Sequence, residues 1–171
     1  LGTLSTVYNA KLYGATGDGV TDDSTAIQAA IDAAETAGGG MVFLPAGTYH
    51  MESGLTLPSY VRLVGAGQAT TTIEMDADAN AVTIEASSYC CEISDMTIMP
   101  DTAGSDIDHA AIAVLGGARH FLISRVMLGA TNTGNPNFDY GIVIGNNMTH
   151  NCLDGTVRDV YVRRARVNCI L

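Results

Sequence analysis

Two carboxylates, Asp108 and Asp139, each stand next to a second reactive side chain, His109 and Tyr140. They lie near the ends of two polar loops, "DTAGSDIDH" (101–109) and "TNTGNPNFDY" (131–140). Each loop runs into a short apolar stretch, "AIAV" from Ala111 and "GIVI" from Gly141, so the loops fall at equivalent places along the chain. If the two stretches stack, the offset from Ala111 to Gly141 aligns His109 with Asp139 and puts carboxylates on neighbouring strands. Carboxyl groups roughly 5–9 Å apart are what glycoside hydrolysis uses, and an Asp–His pair can serve as acid and base. The catalytic candidates are therefore Asp108, Asp139 and His109. Asp106 and Tyr140 are candidates for holding a sugar, the tyrosine by stacking its ring. Arg158, Arg163, Arg164 and Arg166 make up half of the 8 basic residues. An arginine fork suits a uronate carboxylate, which adds Arg163 and Arg164 to the substrate-binding candidates. The plainer reading of the same residues is turn chemistry for the loops and a solvated face for the arginines, paired with Asp154 and Asp159.

Those residues need a scaffold, and the second half of the chain supplies one by repetition. "AVTI", "AIAV" and "GIVI" begin at Ala81, Ala111 and Gly141, at equal intervals. Each is followed by a turn and a second stretch: "ISDMTI" from Ile93, "ISRVML" from Ile123 and "VRDVYV" from Val157. All three share the order apolar, x, charged, apolar, x, apolar. The step from Ile123 to Val157 is longer than the step before it, so one loop has grown. A period of roughly 30 residues with two or three strands and no helix reads as a solenoid, since a propeller blade needs about 40–45 residues. The expected fold is an all-β solenoid, a right-handed parallel β-helix of about five coils. Its strands stack at about 4.8 Å, with Val82, Ile112 and Ile142 in one ladder.

The first half is organised around "YGATGDGVTDDSTAIQAAIDAA" (13–34). It is not a phosphate loop, because no Lys follows the last glycine, nor an EF-hand, because no Glu stands at the twelfth position. Asp22 or Asp23 is expected to cap a helix over Ser24–Ala37. Ile27, Ala30, Ile31 and Ala34 form its apolar stripe, and Gly38-Gly39-Gly40 ends it. That amphipathic helix is the expected lid over the first coil, whose backbone edge would otherwise be open. "MVFLPAGTYHM" then reads as strands 41–44 and 48–51, and "LTLPSYVRLVGAG" continues in the same style.

Composition excludes several classes. The net charge of −10 argues against nucleic acid as a partner. No apolar run approaches the roughly 20 residues of a membrane span, so no membrane insertion is expected. Cys90, Cys91, Cys152 and Cys169 lack zinc-ligand spacing and are expected to be buried free thiols. No cofactor and no metal are expected. The first residue is Leu with no visible signal peptide, and "NCIL" reads as the start of another coil, so a longer protein is expected on both sides. The chain is expected to form one domain, with 1–40 as lead-in and capping helix and 41–171 as coils.

"AKLYGATGDGVTDDSTAIQAAIDAAETAGGGMVFLPAGTYHM" followed by "LTLPSYVRLVGAG" resembles the N-terminal module of the pectate-lyase-like superfamily over residues 9–67. That module is shared by bacteriophage tailspikes and tail fibres, secreted polysaccharide lyases and glycosidases, and alginate epimerases. The resemblance implies a right-handed parallel β-helix and a carbohydrate ligand. It points first to a segment of a tailspike or tail fibre in the virion that binds and depolymerises a bacterial surface polysaccharide. Such spikes form homotrimers alongside other tail proteins. The alternatives are a secreted lyase, glycoside hydrolase or epimerase, and a non-catalytic structural β-helix.

Overall fold

The computed structural model describes residues 6–76, 79–100, 107–129, 138–145 and 154–163. Buried residues alternate with partly exposed ones along the short strands, so each strand offers one face to a shared interior. The chain opens with β1 (Val7–Asn9), a 3-10 turn at Ala10–Tyr13, β2 (Asp18–Asp22) and helix α1 (Ser24–Thr36). Next come β3 (Gly40–Leu44), β4 (Gly47–Met51), β5 (Leu55–Leu57), β6 (Val61–Gly65), β7 (Thr71–Met75) and β8 (Val82–Ile84). The remaining strands are β9 (Glu92–Pro100), β10 (Ile107–Val114), β11 (Leu122–Gly129), β12 (Phe138–Ile144) and β13 (Thr156–Arg163).

The strands pair in parallel, each with its counterpart in the neighbouring coil, which is the signature of a parallel β-helix. One sheet runs β5-β8-β10-β12. The other carries β1-β3-β6-β9-β7-β4-β2, with β11 on β9 and β13 on β11. Strand β9 belongs to two faces: its first half pairs with β6 and its second half with β7. Between the halves Asp95 takes a left-handed conformation, φ 60°, and the same bend recurs at Arg125 (φ 50°) and Asp159 (φ 53°). Gly65 precedes them, and a Cβ there would lie 2.2 Å from the Asp95 carbonyl oxygen, so only glycine admits that close approach.

The interior is a set of ladders. Val82, Ile112 and Ile142 are consecutive partners, as the sequence repeat predicts, and all are buried. Ile93, Ile123 and Val157 form a second ladder, with the longer step in its last interval. Val42 and Leu63 continue it toward the N-terminus, and the step between them is much shorter. The longer repeat gives no hint of this shorter coil. Cys91 is buried, and burial pushes its thiol up to about 11. Cys90 is exposed at a left-handed corner, contrary to the expectation of four buried thiols. Cys152 and Cys169 lie outside the described residues.

Helix α1 is the lid. Ile27, Ala30, Ile31 and Ala34 are fully buried against β1, β3, β5 and β6. Its polar side chains complete the closure. Gln28 accepts from the Thr56 N–H (3.0 Å) and donates to the Thr56 carbonyl (3.2 Å), standing in for a strand beyond the edge of β5. Ser24 Oγ accepts from the N–H groups of Glu52 and Ser53.

Of the two capping candidates, Asp22 and Asp23, the expectation is corrected for Asp23. Asp23 occupies the N-cap position but makes no capping bond. Its fully buried carboxylate turns back into the glycine loop and accepts from Thr16 N (2.6 Å), Thr16 Oγ1 (3.2 Å) and Gly17 N (3.0 Å). The reason is local: the carboxylate is the buried partner, and a buried charge without hydrogen-bond donors is costly, so it takes the donors of the adjoining loop. Asp22 takes the neighbouring role, accepting from Ser24 N at 3.0 Å.

Candidate functional site

The two loops that frame the candidate carboxylates lead into β10 and β12, neighbours in the four-stranded sheet. Their register is not uniform. Ile107 pairs with Phe138, but the next pair is Ala110 with Tyr140. Two residues of β10, Asp108 and His109, therefore face the single residue Asp139 of β12. A uniform repeat offset would oppose only His109 to Asp139; the bulge places both beside it. Bulges of this kind bend a strand and re-aim side chains. His109 is half-buried. The backbone of the bulge is tied from the preceding coil, where Asn80 Oδ1 accepts from the Ala110 N–H at 2.9 Å and Ala81 N donates to the Ala110 carbonyl at 3.2 Å. Asn80 thus positions the step, and sequence reasoning missed it. Its signal was available, since Asn80 lies one full repeat before Ala110.

Among the sequence candidates, the backbone brings together Asp108, His109, Asp139 and Tyr140. Arg163 ends β13 in the other sheet, opposite Gly129. Asp101, Asp106, Arg164 and Arg166 lie outside the described residues. Arg158 is exposed on β13, in register with Ser124. Asp159 shares the bend column of Arg125, and its charge is one of the influences that raise the Arg125 guanidinium, after Asp95. Glycoside hydrolysis uses two carboxyl groups roughly 5–9 Å apart, and other proton transfers on a sugar use a positioned acid and base. Two carboxylic residues and a histidine at one bulge supply those group types.

The aspartate-rich N-terminal stretch has its own electrostatics. Asp18 sits well below the usual carboxylate range, at about 2, because the Thr21 and Val20 N–H groups and the Thr21 hydroxyl donate to it. For Asp22, partial burial works against ionisation, but bonds from Ser24 and Glu52 and the nearby His50 charge outweigh it and lower the group. Burial pushes Tyr49 up to about 12, with the Asp23 charge adding to it. These groups serve one another. A groove of about 290 Å³ beside α1, lined by Ser24, Thr25, Gln28, Asp32 and the Ser53–Gly54 turn, is likewise a seam of the lid. No cluster of three or more His, Cys, Asp or Glu side chains with metal-binding geometry occurs among the described residues.

With this geometry in place, comparison with known proteins gives a consistent answer. A family profile described as rhamnogalacturonase A/epimerase, pectate lyase-like, matches residues 7–97. Mannuronan C5-epimerase AlgE2 of Azotobacter vinelandii is 43% identical over 118 residues, covering 64% of this chain and 12% of that protein. The solved A-module of the Azotobacter vinelandii mannuronan C-5 epimerase AlgE6 superposes with a TM-score of 0.69 at 30% identity, over 91% of this chain and 49% of that one. ORF18 of Geobacillus virus E2 shares the fold, with a TM-score of 0.70 at 24% identity over 91% of this chain and 36% of that one. The chain therefore spans only a fraction of the length of these relatives. The profile covers more than half of the sequence, and the chain belongs to the rhamnogalacturonase A/epimerase, pectate lyase-like family.

Proposed function

We propose that this chain is part of a protein that binds a polysaccharide along its β-helix and acts on it at the bulge between β10 and β12. The observation that carries the reading is the register in which Asp108 and His109 of one coil face Asp139 of the next, with Tyr140 alongside. In this reading Asp108 and Asp139 are the acid and base, His109 assists proton transfer, and Tyr140 and Asp106 hold the sugar. Arg163 and Arg164 contact an acidic substituent. Support for a polysaccharide substrate comes from the epimerases named above, which share 43% and 30% identity with this chain. The setting we infer is a bacteriophage tailspike or tail fibre. There it would work as a homotrimer beside other tail proteins on a bacterial surface polysaccharide. The support is the resemblance of residues 9–67.

A second reading, a secreted lyase, hydrolase or epimerase, is favoured by the same identity to mannuronan C5-epimerases.

The test is Asp108→Asn and Asp139→Asn in the full-length protein, assayed on host capsule or lipopolysaccharide and on mannuronan. Loss of roughly a hundredfold or more in each variant, with circular dichroism unchanged, supports the acid–base assignment. Near-parental rates in both place the chemistry elsewhere. Turnover of surface polysaccharide alone favours the tail-fibre setting, and turnover of mannuronan alone favours the secreted enzyme.

A further inference from the structure

A different corner of the solenoid, where the four-stranded sheet hands the chain to the next coil of the other sheet, carries exposed side chains suited to binding. The turns that follow β5, β8 and β10 stack there. Tyr60 N donates to the Tyr89 carbonyl at 2.7 Å, Cys90 N to the Arg119 carbonyl at 3.1 Å, and Arg119 N to the Ser88 carbonyl at 2.8 Å. Tyr89 and Arg119 form a parallel bridge. Tyr60, Cys90 and His120 repeat one left-handed conformation at φ 65°, 55° and 55°. Three successive coils thus present Tyr60, then Tyr89, then Arg119 with His120.

These side chains face solvent. Tyr60 is 55% exposed and Tyr89 40%, and both Arg119 and His120 are exposed. Neither tyrosine belongs to the core cluster, and a buried core does not require aromatic rings here. Arg119 forms no salt bridge among the described residues, whereas Arg125, in the strand that follows, is engaged by both oxygens of Asp95. Exposed Glu85 lies in the turn after β8, and exposed Asp154 two residues before β13. Among the described residues, an anion approaching this corner finds its favourable place at Arg119. The coil spacing of about 4.8 Å is comparable with the advance per residue of an extended sugar chain.

We propose that this corner is a second carbohydrate-binding ledge, separate from the β10–β12 step, that takes an acidic polysaccharide running along the solenoid axis. Tyr60 and Tyr89 stack on the faces of successive rings. The Arg119 fork takes a ring carboxylate, and His120 adds a hydrogen bond. The ledge would hold a long polymer while its neighbouring segment occupies the bulge. This inference rests on the reading that the protein acts on a polysaccharide.

Calorimetric titration of a mannuronate hexasaccharide, with a neutral maltohexaose as reference, tests it on the parent, Arg119→Ala, Tyr89→Ala and Tyr89→Phe. Tyr89 and Arg119 are chosen because neither holds a left-handed backbone. The parent is expected to prefer the acidic probe. Arg119→Ala and Tyr89→Ala should each bind it about tenfold or more weakly, while Tyr89→Phe, which keeps the ring face, stays near the parent. Raising ionic strength to about 1 M should weaken the parent more than Arg119→Ala. If the parent binds but both alanine variants match it, the ledge is wrong and the polysaccharide reading stands. If the parent binds neither this probe nor any other polysaccharide, both fall. If Arg119→Ala changes sedimentation and not sugar binding, the corner is a contact between copies and the ledge is overturned.

Discussion

The lid and the repeat hold coils together by opposite means. Around α1 the backbone edge of the first coil is closed by side chains of specific identity. Gln28 reads both groups of Thr56, Ser24 takes two amides at 52–53, and Asp23 ties down the glycine loop. From β8 onward the backbone closes itself, coil on coil, and the side chains need only be apolar and of suitable size. An end has no next coil to supply donors and acceptors, so each must be met individually. A repeat meets them automatically, and its identity requirements fall on packing.

The sharpest way to break the comparison is at the lid's apolar face. Ile31 is fully buried, and Ile31→Asp would set an unpaired charge under the helix. The expected loss is about 4 kcal/mol or more, a large share of the roughly 5–15 kcal/mol that stabilises a domain. Thermal unfolding with retained parental stability would remove the lid from the account.

Next comes the polar anchor. Asp23→Asn keeps the volume but turns a donor toward the Thr16 and Gly17 amides, and about 3 kcal/mol should be lost. The glycine loop also fixes Gly17, φ 64°, whose Cβ would meet the Tyr49 ring at 3.1 Å. Denaturant titration of Asp23→Asn beside Asp22→Asn separates the anchor from the more exposed cap, which should cost less. In the repeat, by contrast, Ile112→Val trims one methylene from a ladder with apolar partners above and below. It should cost about 1 kcal/mol in the same experiment. A larger loss at Ile112 than at Asp23 would invert the proposed division of labour.

What the sequence made legible follows the same division. Periodicity exposed the helix stripe and the repeat ladder, because both depend on apolar pattern alone, and the matched family profile covers residues 7–97. The partner of Asp23 was not legible. A carboxylate at an N-cap position and one turned into the preceding loop look identical in sequence, and the choice depends on which donors the fold brings to the buried carboxylate. The left-handed corners were equally hidden, since Tyr60 and Cys90 are not residues that announce such a backbone and only His120 belongs to a type that adopts it more readily. They recur because the coil repeats, so the ladder imposes the conformation and the residue tolerates it. At the candidate site the coil offset predicted adjacency of the Asp108 and Asp139 strands. A bulge between Ile107 and Ala110 has no sequence mark beyond Asn80 one coil earlier.

The smallest expected effect lies where the two strategies meet, at a side-chain pair that spans one step of the ladder. Arg125 contacts both oxygens of Asp95 across one coil, but its side chain is 46% exposed and solvent screens the pair. Such pairs contribute roughly 0.5 kcal/mol or less. Asp95→Asn should lose about that much at neutral pH, because asparagine also tolerates φ 60°. Asp95→Leu should lose more, since a branched apolar residue resists that backbone. The pH dependence distinguishes charge from conformation. The bond from Arg125 is the main reason the Asp95 carboxyl lies below its ordinary range, with partial burial opposing. Its contribution is therefore complete above the unfolded value of about 4 and is lost as pH falls through the lower folded value. Parent and Asp95→Asn stabilities should converge as the solution is acidified below about pH 4, while the deficit of Asp95→Leu should persist. If the Asp95→Asn deficit stays constant across that range, the column at 95, 125 and 159 is held by backbone geometry and the charges are incidental.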